Sequence, residues 1–303
     1  MYKIQGITLV SIIIGVAIST FIMSSLMRIY ASSRANYALS ESLLELDEVM
    51  EVAVRNMQSI ISQAGFRYAD GSGSYPPLSS LGEYDPDIGS GAQFFDNTSA
   101  VRHVNEYGGT TVNANKNIGV KFFGANSGNI RECRGPYGDE TQSTRVFFFV
   151  HEYPDPATNS TLRGYYCISQ DYDPSIAGTS NTADVVNATW GDAPTTDMFA
   201  LIPPQYYDHL EIRFGYDSDS GAAGYADLIA EGEDIPSGAN SDDNFNQVYY
   251  VRVAILIHSR EDIKSVPSDY TFNFFSTSIT RTASRRLFKS KIFTIPLAYG
   301  REL

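Results

Sequence analysis

Between Lys3 and Arg28 the chain carries 24 consecutive residues, Ile4 to Met27, without a single charge. As a helix rising about 1.5 Å per residue, that run spans roughly 36 Å, enough to cross a bilayer. Lys3 on the short side predicts that the N-terminal end stays in the cytoplasm while the bulk of the chain, beyond Arg28, is exported. A cleaved secretory signal and an ordinary signal anchor both begin this way. The first needs a small-x-small site after its apolar core, and Ile29-Tyr30-Ala31-Ser32-Ser33 is a poor one. The anchor reading stays open.

The helical signal continues past the apolar run. No proline occurs before Pro76, and Gly15 is the only glycine between Ile7 and Ala64. Leu39, Leu43, Leu46, Met50, Ala53, Met57, Ile60 and Ala64 recur at alternating spacings of 4 and 3, one apolar stripe on an amphipathic helix. Glu41, Glu45, Glu48, Glu51 and Arg55 fall off the stripe. Gly65 follows it, where a left-handed C-terminal cap is expected. A helix from Ile7 to Ala64 has 58 residues, on the order of 87 Å. A coiled coil has the same 3-4 spacing, so the stripe alone leaves its partner open.

After Gly65 the chain changes character. Asp70 to Pro77 is a turn-rich connector, and weak structure is expected as far as about Lys116. Strand-like runs follow at Ile118 to Phe123, Arg145 to Glu152, Gly164 to Ser169, His209 to Tyr216, Gln247 to His258 and Arg286 to Leu297. The alternation of Tyr249, Val251, Val253, Ile255 and Ile257 predicts a central strand with one face under the helix stripe. Pro296 predicts an edge or a strand end. No helical segment separates the runs, so antiparallel pairing and an α+β class are expected.

Composition narrows the function classes. The 20 Tyr and 17 Phe supply a packed core, while 22 basic against 35 acidic residues leave a net charge of −13. That balance argues against nucleic acid as a partner, since phosphate contacts need clustered Lys and Arg. The one basic cluster, Arg281, Arg285, Arg286, Lys289 and Lys291, is expected to face solvent or to pair with acidic loops. Asp217, Asp219 and Asp227 lie in such a loop and could hold Ca²⁺, although a solvated acidic loop is the commoner outcome. No other cofactor is expected. His103, His151, His209 and His258 are isolated, and no Walker loop or Gly-x-Ser-x-Gly elbow occurs, so the chain does not read as an enzyme. Cys133 and Cys167 could be core thiols; export from the cytoplasm favours a disulfide.

Gln5-Gly6-Ile7-Thr8-Leu9-Val10 resembles the prepilin-peptidase site of type IV pilins, where a short basic leader ends in Gly. Ile60-Ile61-Ser62-Gln63-Ala64-Gly65-Phe66-Arg67 is similar to the helix end of PilW-type minor pilins. Ile130 to Gly135 and Tyr165-Tyr166-Cys167 resemble that family's two cysteine segments, and Arg285 to Ile292 its closing strand. The resemblance implies a pilin-like fold: a long N-terminal helix packed on an antiparallel head with long loops. It implies a leader at 1–6, a membrane and filament-core half-helix at 7–30, an amphipathic half at 31–66 and a periplasmic or extracellular head at 67–303. Prepilin peptidase would cut between Gly6 and Ile7, and Ile7 would be N-methylated. The subunit would insert in the inner membrane in a single pass, head in the periplasm, and then join other minor pilins and the major pilin in a surface pilus through its helix. Its role would be to initiate or cap assembly. Two departures stand out: the first mature residue is Ile7 instead of Phe, and the fifth, usually Glu, is Ser11. A type II secretion pseudopilin of the GspJ kind shares the same plan. A membrane-anchored periplasmic binding domain or enzyme would lack leader processing. The segments 79–116 and 171–205 resemble nothing in the family.

Overall fold

The computed structural model describes residues 9–64, 101–103, 106–107, 110–111, 118–123, 131–133, 135–136, 143–158, 160–172, 198–216, 228–230, 248–263, 269–275, 277–282 and 286–297. One helix, α1 (Leu9–Ile61), runs for 53 residues, about 80 Å. Residues 62–64 tighten as it ends. The Ser62 amide still donates to the Gln58 carbonyl, whereas the Gln63 and Ala64 amides reach back only three residues, to Ile60 and Ile61. Gly65 and the start expected at Ile7 lie outside the described residues.

In chain order the strands are β1 (Val101–His103), β2 (Glu106–Tyr107), β3 (Thr110–Thr111), β4 (Ile118–Phe123) and β5 (Arg131–Glu132). Next come β6 (Gly135–Pro136), β7 (Ser143–Pro154), β8 (Thr161–Tyr172), β9 (Phe199–Ile202) and β10 (Tyr207–Tyr216). The last are β11 (Leu228–Ala230), β12 (Val248–His258), β13 (Tyr270–Phe274), β14 (Thr277–Arg281) and β15 (Phe288–Pro296). One sheet has the order β1-β4-β7-β8-β9 and a second the order β11-β10-β12-β15, with small two-stranded ribbons beside them. Every pairing is antiparallel, as the lack of intervening helices predicts. The architecture is α+β: a long, apolar-fronted N-terminal helix laid on antiparallel sheets.

The helix closes one core with both sheets. Leu46, Met50, Ala53, Met57, Ile60 and Ala64 are buried, and Val54 and Ile61 widen the stripe on its flank. They meet Ile118, Val146, Phe148 and Tyr165 from the first sheet and Ile212, Phe214, Val253 and Ile255 from the second. Each large apolar side chain so buried contributes about 1.5–3 kcal/mol. Leu43, expected on the stripe, is 42% exposed, and Leu39 is only half-buried. The continuous coverage of the helix begins at Leu46, so the stripe starts two steps later than its spacing suggests.

Strand β12 is interior, between β10 and β15, and Pro296 ends the edge strand β15. One face of β12 lies under the helix stripe, as its alternation predicts, and the opposite face is covered as well. Val251, Val253, Ile255 and Ile257 face the helix core, while Ala254 and Leu256 pack against Phe274 and Ile279 of the β13–β14 hairpin. The expectation of weak structure before Lys116 is modified by the short strands β1, β2 and β3, and the 171–205 segment contains the strand β9.

Candidate functional site

The surface that most demands a function is the first half of α1. Val10, Ile13, Val16, Phe21, Met27 and Ile29 are all exposed, and none of the most apolar 18-residue window is buried against the head. By length and composition this helix can cross a membrane. Three of its hydroxyls bond within the helix. Ser19 Oγ donates to the Gly15 carbonyl at 2.8 Å, Thr20 Oγ1 to Ala17 at 2.9 Å and Ser25 Oγ to Phe21 at 3.0 Å. Such back-bonding removes most of the cost of placing a hydroxyl in an apolar medium. Ser11 lies on this exposed segment, in the first turns of α1. Gly6 and Ile7 lie outside the described residues.

Past the exposed half, polar contacts fasten the helix to the head. Tyr206 Oη, in the turn just before β10, donates to Glu45 Oε1. Burial, and then the Glu45 carboxylate, push the Tyr206 phenol up to about 12. Lys289 of β15 pairs with Asp47. Neither clip was visible in the sequence, because Glu45 and Asp47 lie off the apolar stripe and their partners are more than a hundred residues away.

Cys133 and Cys167 are joined, with Cα atoms 5.7 Å apart, inside the usual disulfide range. Both are buried in the core shared with the helix. The bond holds the end of the β5 strand to the middle of β8, and β5 in turn contacts α1.

The basic cluster is dispersed among ion pairs. Arg281 grips Asp208 with two parallel bonds, Nε to Oδ2 at 3.0 Å and Nη2 to Oδ1 at 2.5 Å. The Asp208 carboxylate raises the already high pKa of Arg281 further. Arg286 lies 3.7 Å from Asp262 and against the His258 ring. Burial lowers the pKa of His258, which favours its neutral form. Lys291 is exposed and Arg285 lies outside the described residues. Among the described residues the carboxylates that meet these cations are Asp47, Asp208 and Asp262, and the acidic loop suggested as their partner lies outside those residues.

The remaining candidates belong to packing. His151 is buried among Phe149, Tyr153 and Tyr166, with ring centroids 5.7 to 6.2 Å away, and His209 stacks on Phe274 at 6.1 Å. Asp217, Asp219 and Asp227 lie outside the described residues. Among the described residues no group of three His, Cys, Asp or Glu side chains converges on a metal position.

No family model matches the chain, and no curated protein matches it. Among solved structures it is similar to a type IV-like pilin, TTHA1219, from Thermus thermophilus. That likeness covers 87% of this chain and 97% of that one, at 9% identity and a TM-score of 0.37.

Proposed function

We propose that this chain is a PilW-like minor pilin, inserted in the inner membrane, cleaved after Gly6 and assembled through its helix into a type IV pilus. The observation that carries the reading is the division of α1. Its apolar first half is left entirely outside the fold, while its second half is the lid of the head's own core. A signal that is cut away has no reason to continue into a structural helix, and a plain anchor does not need to. The Gly6–Ile7 junction, placed before the apolar run, would leave that helix on the mature subunit.

Intact-mass measurement of protein extracted from cells with an active prepilin peptidase is expected to show loss of residues 1–6 and gain of one methyl group. Retention of Met1 in such cells refutes the assignment.

Ser11 supports a position at the filament tip over neutral loss of the usual Glu. In pilins the Glu usual at this position neutralises the terminal amine of an adjoining subunit inside an apolar core, where an unpaired charge is costly. Serine supplies no charge, so an interior position would strand a neighbour's amine. At the tip no further amine needs a partner. Immunogold label is expected at pilus ends or at the envelope base; regular label along shafts overturns the tip position.

A further inference from the structure

The helix carries a second apolar line, on the side away from its head. Val16, Met23, Tyr30, Tyr37 and Leu44 follow one another at intervals of seven. Seven residues bring an α-helix back to within about 20° of the same direction, so these side chains form one nearly straight row. All five are exposed, and the last three are 69%, 73% and 70% exposed. Leu44 sits two residues before the buried Leu46, about 200° round the helix, so the row is opposite the core stripe. The first members belong to the apolar half. Tyr37 and Leu44 lie roughly 14 and 24 Å beyond Arg28 along the axis, too far to be covered by the lipid that covers Val16.

The surroundings of the row select its occupant. Glu41 and Glu48 are exposed beside Tyr37 and Leu44. Along the same flank a groove of about 1160 Å³ opens between α1 and the segment after β12. Ala31, Ala35 and Ala38 line it, which lets another backbone approach closely. Its charged lining is Glu41, Glu45, Glu48, Glu261 and Asp262, opposed by only Arg34 and Arg260, a net of three negative charges. An anionic membrane surface is repelled by this lining. A second copy of this chain, lying parallel and in register, would bring the same acids against themselves.

We infer that the Tyr30–Tyr37–Leu44 face and its acidic groove dock the helix of a different subunit, one with an apolar stripe flanked by Lys or Arg. This deepens the assembly role and rests on it for the cellular source of that helix. The partner's apolar side chains cover the row, and its cations meet Glu41 and Glu48. The acids oppose parallel, in-register self-pairing and thereby favour a heterotypic contact.

The test uses the full chain in neutral detergent micelles and two synthetic helices of about 20 residues. Both carry one Leu stripe at seven-residue spacing; one has flanking Lys, the other flanking Glu. The Lys peptide is expected to bind about tenfold tighter or better, with the advantage shrinking as salt rises. Glu41→Lys with Glu48→Lys is expected to reverse the preference. Tyr37→Ser with Leu44→Ser is expected to weaken both peptides. Equal binding of the two peptides, binding of neither, or dimers of this chain cross-linked through position 37 overturns the inference. The leader mass measured on the same preparation separates the two ideas. Retained Met1 with intact charge selection sinks the pilin reading alone, whereas a processed chain without selection sinks the docking face alone.

Discussion

A Cys167→Ser variant is expected to lose about 3–4 kcal/mol of head stability while still inserting in the membrane. The bond closes a loop of 34 residues, and in the chain-entropy model a loop of that length constrains the unfolded chain by about this amount. Both sulfurs lie in the core that the helix shares with the sheets, so the freed thiol also leaves the β5 strand without its tie to β8. Denaturant titration of the head, followed by tyrosine fluorescence under oxidising and reducing conditions, checks the value. The variant and the reduced wild type should unfold at the same, lowered midpoint. Non-reducing peptide maps of the wild type should recover Cys133 and Cys167 only as a linked pair; two free thiols would contradict the structure.

An Arg213→Ala change is expected to cost about as much, for a different reason. Glu211 and Arg213 stand two residues apart on one face of β10 and are only 5% and 8% exposed. Arg213 Nη2 and Nε donate to Glu211 Oε1 at 2.7 and 3.1 Å, and the guanidinium lies over the Phe275 ring, 5.8 Å from its centroid. Removing the arginine leaves a buried carboxylate without its counter-ion, a loss on the order of 3–5 kcal/mol. Replacing both residues together, Glu211→Leu with Arg213→Met, should restore most of it, because the charge that needs compensation has gone as well. The exposed i,i+4 pair Glu51–Arg55 is the control: Arg55→Ala should stay within about 0.5 kcal/mol of wild type. A costly double variant, or an inexpensive single one, would show that the pair is not desolvated as described.

How far the sequence could be read depended on whether a residue's surroundings were local. The helix and the strands from Ile118 onward were visible, because apolar spacing records burial against a face whatever lies on it. Pro296 announced the end of β15 through its missing donor. The hairpin β13–β14 escaped notice, although Tyr270, Phe272 and Phe274 alternate with Thr271 and Asn273. Five-residue strands give too short a pattern to stand out. That omission hid the second covering of β12, and with it the meaning of Glu211 and Arg213. In an alternating strand two charges on one face read as a solvent face, and only a hairpin some sixty residues later makes that face an interior. The clips Glu45–Tyr206 and Asp47–Lys289 were illegible for the same reason: each joins the helix to a residue that only the finished sheet brings near. The roles proposed for Gly6, Ile7 and Ser11 would depend on other proteins, and one subunit's packing does not bear on them.

The position of β15 orders events in time. This strand, the last among the described residues, forms an edge of the second sheet, touches α1 and supplies Lys289 to its Asp47. The helix is therefore covered in part by a strand more than two hundred residues further along the chain. Until the sheets are complete, Met50, Met57 and Ile60 have nothing to rest on, and β12 has a naked flank where β15 will pair. Contacts of such sequence separation form late, and a chain halted before residue 288 would present both an uncovered helix and an open strand to any neighbour. The core is thus a clasp whose two halves lie more than two hundred residues apart along the chain, and until they meet both the helix stripe and the flank of β12 stay open to aggregation.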